Sequence, residues 1–336
     1  MKLLITGGCG FVGTNVALKI NEDFEVFCLD DFSKIESYRN KELLIKNKVK
    51  VLNGSVTNKS YVDNLIDDLK PDFILHLAAQ VAMTNSIDDP LNDLNINLLG
   101  TFNLLNAVKE YSHKTRFINI STNKVYGDLL WDETEELESR YVSKKYKNGF
   151  DENIPLSFSG PYGCSKGAAE QYTLDFVNTF DLHTTSLRLS TIYGPNQYAT
   201  FNQGWIGWFL QKVIENQNQK SINISVHGDG KQVRDILFVD DFVRLIESII
   251  NNFDKVNGEA FNVGGSLNNS LSILELLDKC KNILKIECSF SVENKPWRPA
   301  DQKFYVSDIN KIKEATNWSP KIEIDYGLEN YVTWMT

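Results

Sequence analysis

The sequence predicts an α/β fold: a doubly wound parallel β-sheet with a smaller, interleaved C-terminal domain. Three observations support this prediction. Short apolar runs alternate with stretches of helical spacing, as in a parallel sheet covered by helices on both faces. A glycine-rich turn directly follows the first apolar run. The chain has 336 residues, 42% of them hydrophobic, which is enough for a large core with an appended part.

The glycine-rich turn occupies residues 6–13, between an apolar run at 3–5 and helical spacing at 15–20. Its glycines fit two spacings, GxGxxG from Gly8 and GxxGxxG from Gly7, both continuing through Gly10 and Gly13. Glycines let the backbone turn sharply and approach a pyrophosphate, and a helix N-terminus offers it unpaired N–H groups. A strand, a turn and a helix in this order indicate a Rossmann-type dinucleotide-binding loop.

An acidic pair follows the second apolar run. Residues 26–29 read as a strand that ends in Asp30 and Asp31, about where an acidic side chain binds the ribose hydroxyls of a dinucleotide. Because a carboxylate there would repel a 2′-phosphate, the sequence favours NAD over NADP.

Charge and cysteine content exclude several classes of protein. The formal net charge of −9 argues against general binding to nucleic acid or to an anionic membrane. No apolar run is long enough to span a bilayer. The five cysteines contain no CxxC pair and the four histidines are scattered, so we expect neither a disulfide framework nor a metal site. We expect a cytoplasmic protein.

Further strands are predicted at residues 49–52, 73–77, 117–120 and 185–189, and their carboxyl ends are where a ligand would lie. Small residues suited to close contact with a dinucleotide follow the first two of these runs, at 53–56 and at 78–81. A helical stretch at 91–111 carries Asn97, whose side chain either reaches into the site or bends the helix.

Polar groups follow the run at 117–120, beginning with Ser121-Thr122-Asn123-Lys124. A helix is predicted from Gly160 to about Phe180, and it carries Tyr162 and Lys166 four residues apart on one face. An ammonium and an oxidised nicotinamide both favour a phenolate, which can then accept a proton from an alcohol. The pair Tyr141/Lys145 has the same spacing, but no core strand precedes it, so we assign the chemistry to Tyr162/Lys166.

Together, the glycine turn, Asp30, Thr122 and Tyr162/Lys166 resemble the extended short-chain dehydrogenase/reductase family, which modifies nucleotide sugars with tightly held NAD. The likeness covers essentially the whole chain. It implies Tyr162 as the acid/base, with Lys166 and Thr122 as the other catalytic residues. It also implies a set of cofactor-binding positions: Gly7, Gly10, Phe11, Val12, Gly13, Asp30, Ser33, Lys34, Ser55, Val56, Ala78, Gln80, Asn97 and Lys166.

The branch of the family is indicated by the residues after the Thr122 strand. The 4,6-dehydratases carry Thr-Asp-Glu there, whereas this chain carries Thr122-Asn123-Lys124, so a dehydratase is not expected. The string at 121–128, together with the segments at 159–169 and 202–209, resembles the epimerases that act on CDP-sugars. The resemblance implies inversion at C2 of a CDP-hexose, of the CDP-paratose to CDP-tyvelose type, through a 2-keto sugar and hydride return to the opposite face.

The later part of the chain resembles the family's substrate-binding domain. Arg234 and Arg298 match the arginines that hold the diphosphate in this family. Arginine suits this role because its planar guanidinium pairs with phosphate oxygens. The alternative is that each arginine forms a surface salt bridge. Trp205 and Trp208 are expected to pack in the core; stacking on a cytosine ring is the alternative. The predicted NAD-binding domain comprises 1–190 plus about 236–262, and the nucleotide-sugar domain about 191–235 plus 263–336. The expected substrate-binding residues are Thr122, Asn123, Lys124, Tyr162, Asn196, Arg234 and Arg298.

Two rival functions remain at this stage. One is a UDP-hexose 4-epimerase on the same scaffold, because nothing in the residue spacing selects C2 over C4. The other is a catalytically idle, NAD-binding regulatory protein, against which the intact Tyr162/Lys166/Thr122 set argues. Family likeness also implies a homodimer or homotetramer formed through the helices at 91–111 and 162–180.

Overall fold

The structure is a computed structural model that describes residues 1–201, 203–298 and 300–336. Asn202, in one of the segments that carry the family resemblance, and Pro299, beside Arg298, lie outside the described residues.

The described residues form fifteen strands and thirteen α-helices. The strands are β1 (Lys2–Thr6), β2 (Glu25–Asp30), β3 (Lys50–Asn53), β4 (Phe73–His76), β5 (Arg116–Thr122), β6 (Thr134–Glu136), β7 (Tyr141–Ser143), β8 (His183–Leu189), β9 (Thr191–Tyr193), β10 (Ser221–His227), β11 (Val233–Phe238), β12 (Ala260–Val263), β13 (Ser270–Ser272), β14 (Ser289–Lys295) and β15 (Phe304–Tyr305). The helices are α1 (Phe11–Ile20), α2 (Ile35–Lys46), α3 (Lys59–Leu69), α4 (Met83–Asp88), α5 (Pro90–Leu94), α6 (Gly100–Tyr111), α7 (Gly160–Phe180), α8 (Trp205–Glu215), α9 (Val239–Asn251), α10 (Phe253–Val256), α11 (Ile273–Leu284), α12 (Asn310–Thr316) and α13 (Ile324–Met335).

The predicted parallel sheet is confirmed. Seven strands lie in the order β12-β8-β5-β4-β1-β2-β3, and every pairing between neighbours is parallel. The strand order reverses between β1 and β4, so the loops after these two strands diverge and open a crevice at the carboxyl edge. The glycine turn and the loop after β4 both lie at this crevice.

Two hydrophobic clusters cover the two faces of the sheet. On one face, α1 and α9 pack through buried side chains such as Val16 and Ile246. On the other face, α3 and α6 pack through residues such as Ile66 and Leu104. The strands are apolar on both faces for this reason, which explains their continuous apolar runs.

The later chain builds a separate hydrophobic cluster from α8, α11 and α13 and the parallel pair β10 and β14. Trp205 and Trp208 pack against this cluster as partly buried side chains. Helix α12 returns to the main sheet, where Ile312 is buried against the core of the α1 face. Conversely, Phe150 belongs to the first 190 residues but packs against Tyr305 of the later chain. The division into the two predicted domains at the stated boundaries stays a prediction.

In the part of the chain that the structure describes, none of the helices combines the length and the apolar character needed to cross a membrane.

Candidate active site

The glycine turn is shaped by close backbone contacts. Gly7 has φ of +65°, and a Cβ there would lie 2.8 Å from the backbone nitrogen of Ala78. A Cβ on Gly13 would lie 2.7 Å from the Gly7 carbonyl oxygen. At Gly10, in contrast, that same oxygen, 3.1 Å away, is the one atom near a Cβ within the described residues. The turn therefore packs tightly on its inner side and leaves Gly10 open to a ligand.

Helix α1 starts at this turn without a side-chain cap and without an acidic residue in its first turn. Its first N–H groups thus have no capping side-chain acceptor among the described residues, and they carry the positive end of the helix dipole. Both features suit a pyrophosphate.

Asp30 lies at the end of β2 and is buried. Its carboxylate accepts hydrogen bonds from the backbone N–H groups of Cys9 and Phe32, both at 3.0 Å. Burial raises the pKa of Asp30, and these two donors oppose that shift. The hydrogen bonds fix the carboxylate beside the glycine turn, where sequence reasoning placed it.

The remaining predicted cofactor residues lie along the same carboxyl edge. Lys34 donates to the Gln203 side chain at 2.9 Å, while Ser33 is exposed. Val56 packs against Gly100, where a Cβ would approach its Cγ2 to 2.6 Å. The Ser55 hydroxyl lies 3.0 Å from that of Thr57.

Thr122 ends β5, and a 3₁₀ turn (Asn123–Tyr126) follows it. The neighbouring Thr122 hydroxyl lowers the pKa of Tyr162 and thereby favours the phenolate. Burial outweighs this effect and raises the pKa of Tyr162 to about 12, with Asp93 adding to the rise. Without a further positive charge, Tyr162 is therefore a phenol at neutral pH.

Lys166 lies one helical turn after Tyr162 on α7, as the spacing predicted, and only 3% of its surface is exposed. Burial lowers the pKa of its ammonium to about 8, against the opposing charges of Glu170 and Asp93. Among the described residues Lys166 forms no salt bridge, because Glu170 pairs with Arg188 at 2.7 Å. A buried ammonium with this environment fits a polar ligand such as the ribose of a dinucleotide.

Asn97 lies in a π-helical turn (Asn95–Leu99) between α5 and α6. Its side chain reaches into the site: the amide oxygen accepts from the Gln80 backbone at 2.9 Å, and the amide nitrogen donates to Ser165 at 3.1 Å. Asp93, one turn earlier, accepts from Asn97, Gln80 and Ser165. The asparagine therefore links the loop after β4 to the helix that carries Tyr162.

The predicted substrate side assembles from three distant segments. Arg234 donates to Asp301 at 2.6 Å, and the Lys124 ammonium lies 3.6 Å from the same carboxylate oxygen. Burial lowers the pKa of Lys124 to about 8, opposed by Asp301. The positive charge of Arg298 also lowers the pKa of Lys124. The three basic residues predicted from sequence thus gather around one carboxylate.

Two predicted polar residues are held by partners that sequence reasoning did not name. The Asn123 side chain donates to Gln302 at 3.0 Å, and Gln302 in turn donates to the Gly127 carbonyl oxygen at 2.7 Å. Asn196, with φ of +67°, donates to Asn15 of α1 at 3.1 Å. Asn196 therefore joins the later chain to the helix of the glycine turn.

The alternative pair, Tyr141 and Lys145, does not share a helix. Tyr141 lies in strand β7, and its hydroxyl donates to Asp229 at 2.5 Å. The equal spacing is therefore a coincidence of sequence.

Sequence reasoning missed Asp93, Asp301 and Gln302 as members of the site. Asp93 carried a usable signal, because it precedes Asn97 by four residues in a stretch predicted as helix. Asp301 and Gln302 carried none, because their partners lie more than 60 residues away along the chain.

No group of three or more His, Cys, Asp or Glu side chains arranged to hold a metal ion occurs within residues 1–201, 203–298 and 300–336.

Residues 4–331 match the family described as GDP-mannose 4,6 dehydratase. The chain belongs to this family of NAD-dependent epimerases and dehydratases. It is 44% identical to CDP-paratose 2-epimerase from Salmonella typhi, over 99% of both chains. It resembles the structure of UDP-glucose 4-epimerase with UDP-glucose from Thermotoga maritima, with a TM-score of 0.82, 27% identity and coverage of 100% and 98% of the two chains. It also resembles UDP-glucuronic acid 4-epimerase from Bacillus cereus in complex with UDP-glucuronic acid and NAD, with a TM-score of 0.80, 25% identity and coverage of 100% and 99%.

The family resemblance and the Rossmann-type fold expected from the sequence are thereby confirmed.

Proposed function

We propose that this protein is an NAD-dependent epimerase that inverts C2 of a CDP-hexose, of the CDP-paratose to CDP-tyvelose type. The observation that carries the proposal is the 44% identity to a CDP-paratose 2-epimerase over almost the whole of both chains. The Thr122-Asn123-Lys124 string agrees with it, since it lacks the paired acids of the dehydratases.

The residues at the carboxyl edge fit NAD. Gly10 is open, the first turn of α1 has no capping side chain, and the Lys166 ammonium is buried without a salt bridge among the described residues. The pyrophosphate would lie on α1, the adenosine ribose near Asp30, and the nicotinamide ribose near Lys166. When bound, NAD supplies a reversible hydride acceptor.

Tyr162 is the proposed acid/base. As a phenolate it takes the proton of the sugar hydroxyl, and it returns the proton when the hydroxyl is restored. Because its pKa is about 12 in the protein alone, it needs positive charge from its surroundings in order to ionise near neutral pH. Thr122 is the proposed hydrogen-bonding partner of the same sugar oxygen, and its hydroxyl also favours the Tyr162 phenolate. Lys166 supplies one positive charge from the next helical turn.

Lys124, Arg234 and Arg298 are the proposed contacts of the diphosphate and the sugar. They surround Asp301, which lowers the local net charge and holds Arg234 in place. Burial alone would raise the pKa of Asp301, but Arg234 and Lys124 hold it below its ordinary value. An anionic substrate therefore meets three basic groups whose positions are already set. Asn123 and Asn196 complete the proposed substrate-binding set.

The test is turnover of CDP-paratose, followed by NMR of the product sugar, in wild type, Tyr162→Phe and Tyr141→Phe. The two variants each remove one phenolic hydroxyl, but only Tyr162 lies beside Thr122. We expect Tyr162→Phe to lower kcat by at least about 100-fold and Tyr141→Phe to change it less than about 3-fold. Equal activity of Tyr162→Phe and wild type would overturn the proposal.

The same assay separates the rival 4-epimerase. UDP-glucose and UDP-galactose are offered under identical conditions, and inversion at C4 rather than at C2 would replace the proposed activity.

We also propose assembly as a homodimer through α6 and α7, with a homotetramer as the larger alternative. Phe102 on α6 is 37% exposed, and Tyr172 on α7 is 45% exposed, and their rings contact edge-on with centroids 5.4 Å apart. A shared exposed aromatic face on two adjacent helices suits a second copy of the chain.

The cytoplasmic location predicted from the sequence stays a prediction.

A further inference from the structure

Asp93 is a fully buried carboxylate near the proposed catalytic pair. None of its surface is exposed, and the roles proposed above leave it unused. Burying a carboxylate is costly unless hydrogen bonds and nearby positive charge compensate, so its presence calls for a physical explanation.

Three hydrogen bonds join Asp93 to three different segments. The Ser165 hydroxyl of α7 donates to Oδ2 at 2.5 Å. The side-chain amides of Gln80, after β4, and of Asn97, in the π-helical turn, each donate to Oδ1 at 3.0 Å. The carboxylate is thus the common acceptor for the loop under the proposed nicotinamide site and for the helix that carries the acid/base.

Ser165 connects this centre directly to the catalytic turn of α7. Its hydroxyl also lies 3.2 Å from the carbonyl oxygen of Tyr162, and Lys166 is the next residue along the helix. Asn97 donates to Ser165 as well, at 3.1 Å. Moving Asp93 would therefore move Ser165, and with it the turn between Tyr162 and Lys166.

The charge of Asp93 acts on both members of the pair in the same direction. It favours the ammonium of Lys166 and disfavours the phenolate of Tyr162, so it raises the pKa of each. Among the described residues, Lys166 also interacts electrostatically with Glu170 on α7 and with His76 on β4. Glu170 is paired with Arg188, and burial lowers the pKa of His76 to about 3, so His76 is neutral.

We infer that Asp93 is a positioning residue for the proposed reaction: it fixes the Tyr162/Lys166 turn against the cofactor loop and sets the pH range in which phenolate and ammonium coexist. This inference rests on the function proposed above. It assigns Asp93 no contact with substrate or cofactor.

The decisive variant is Asp93→Asn, which keeps the shape of the side chain and removes its charge. Without the anion, the pKa of Tyr162 and that of Lys166 both fall. The pH optimum of kcat therefore moves about 1 pH unit towards acid, while KM for the CDP-sugar changes less than about 3-fold. A residue that only stabilised the fold would lower the whole pH profile without displacing it.

A second readout does not depend on turnover. The phenolate absorbance of the NAD-loaded protein is titrated with pH, and the same titration of Tyr162→Phe is subtracted, which isolates Tyr162. Repeating this pair of titrations on the Asp93→Asn background gives a lower pKa for Tyr162 if the inference is right and an unchanged pKa if it is wrong. Absence of epimerase activity in wild type would overturn the proposed function alone, because this titration still judges Asp93.

Asp241→Asn is the matched control. Asp241 is equally buried and accepts the backbone N–H groups of Lys321 and Ile322 at 3.0 and 2.9 Å, away from the site. We expect it to lower stability without displacing either pH curve. If Asp93→Asn does not fold, Ser165→Ala tests the link itself: a fall in kcat of about 10-fold at unchanged pH optimum supports the inference, and an unchanged kcat overturns it.

Discussion

The pair of Glu170 and Arg188 offers a test of how α7 is held against the sheet. Glu170 lies one turn after Lys166 and is fully buried, and the Arg188 side chain is 6% exposed. The guanidinium donates to both carboxylate oxygens, at 2.7 to 3.2 Å, and to the Tyr126 hydroxyl at 2.8 Å. Among the described residues, the hydrogen bonds of the guanidinium therefore go to this carboxylate and to one phenol.

Glu170→Gln leaves the guanidinium buried without its counter-charge. Breaking one partner of a buried pair costs about 3–5 kcal/mol of the free energy of unfolding. At about 2 °C per kcal/mol for a chain of this size, the expected fall in Tm is about 6–10 °C. The assay is calorimetry of the NAD-loaded protein at fixed NAD concentration, since ligand binding itself shifts Tm.

The matched control is Glu133→Gln, which breaks an exposed pair with Lys144 at 3.5 Å. Exposed pairs contribute about 0–1 kcal/mol, so Tm should change by less than about 2 °C. The double variant Glu170→Leu with Arg188→Met removes both charges and should recover more than half of the loss. A Glu170→Gln protein that melts no lower than Glu133→Gln would refute the reasoning.

Three further predictions concern cofactor, pH and substrate. Gly7→Ala should lose most of its NAD on purification, because the new Cβ would lie 2.8 Å from the backbone that follows β4. Gly258→Ala is the control and should keep its NAD, because Gly258 also has a positive φ but the nearest atom to its new Cβ is 3.5 Å away. Nucleotide analysis of the isolated proteins distinguishes the two results. Burial raises the pKa of Asp235 to about 6, so this group's contribution to stability is present below its unfolded-state pKa of about 4 and is lost as pH rises through 6. The Tm of Asp235→Asn minus that of wild type should therefore increase between pH 4 and 7, and a flat difference would contradict this. Arg298→Ala should weaken binding of CDP by about 10-fold or more in calorimetric titration, while Arg140→Ala, which breaks a pair with Glu275, should leave the affinity unchanged.

Local signals were sufficient to predict the frame of the site. The apolar runs marked the strands because both faces of the sheet are covered, and the glycine turn followed from its strand and helix neighbours. The helix at 160–180 placed Tyr162 and Lys166 on one face through its periodicity alone.

What could not be predicted depends on contacts between distant segments. The bond between Asp93 and Ser165 joins residues 72 positions apart, and that between Asn123 and Gln302 joins residues 179 apart. Such pairings follow from how the sheet brings loops together, which no short window of sequence contains. The return of α12 to the main sheet has the same origin, because its partners come from α10 and β12.

The most direct test of the central claim is turnover of CDP-paratose carrying deuterium at C2, with mass spectrometry and NMR of the CDP-sugar product. A Tyr162-based epimerase of the proposed type returns the same deuterium to C2, so the inverted product keeps the label. Loss of the label to solvent, or inversion at C4 with C2 untouched, would contradict the account.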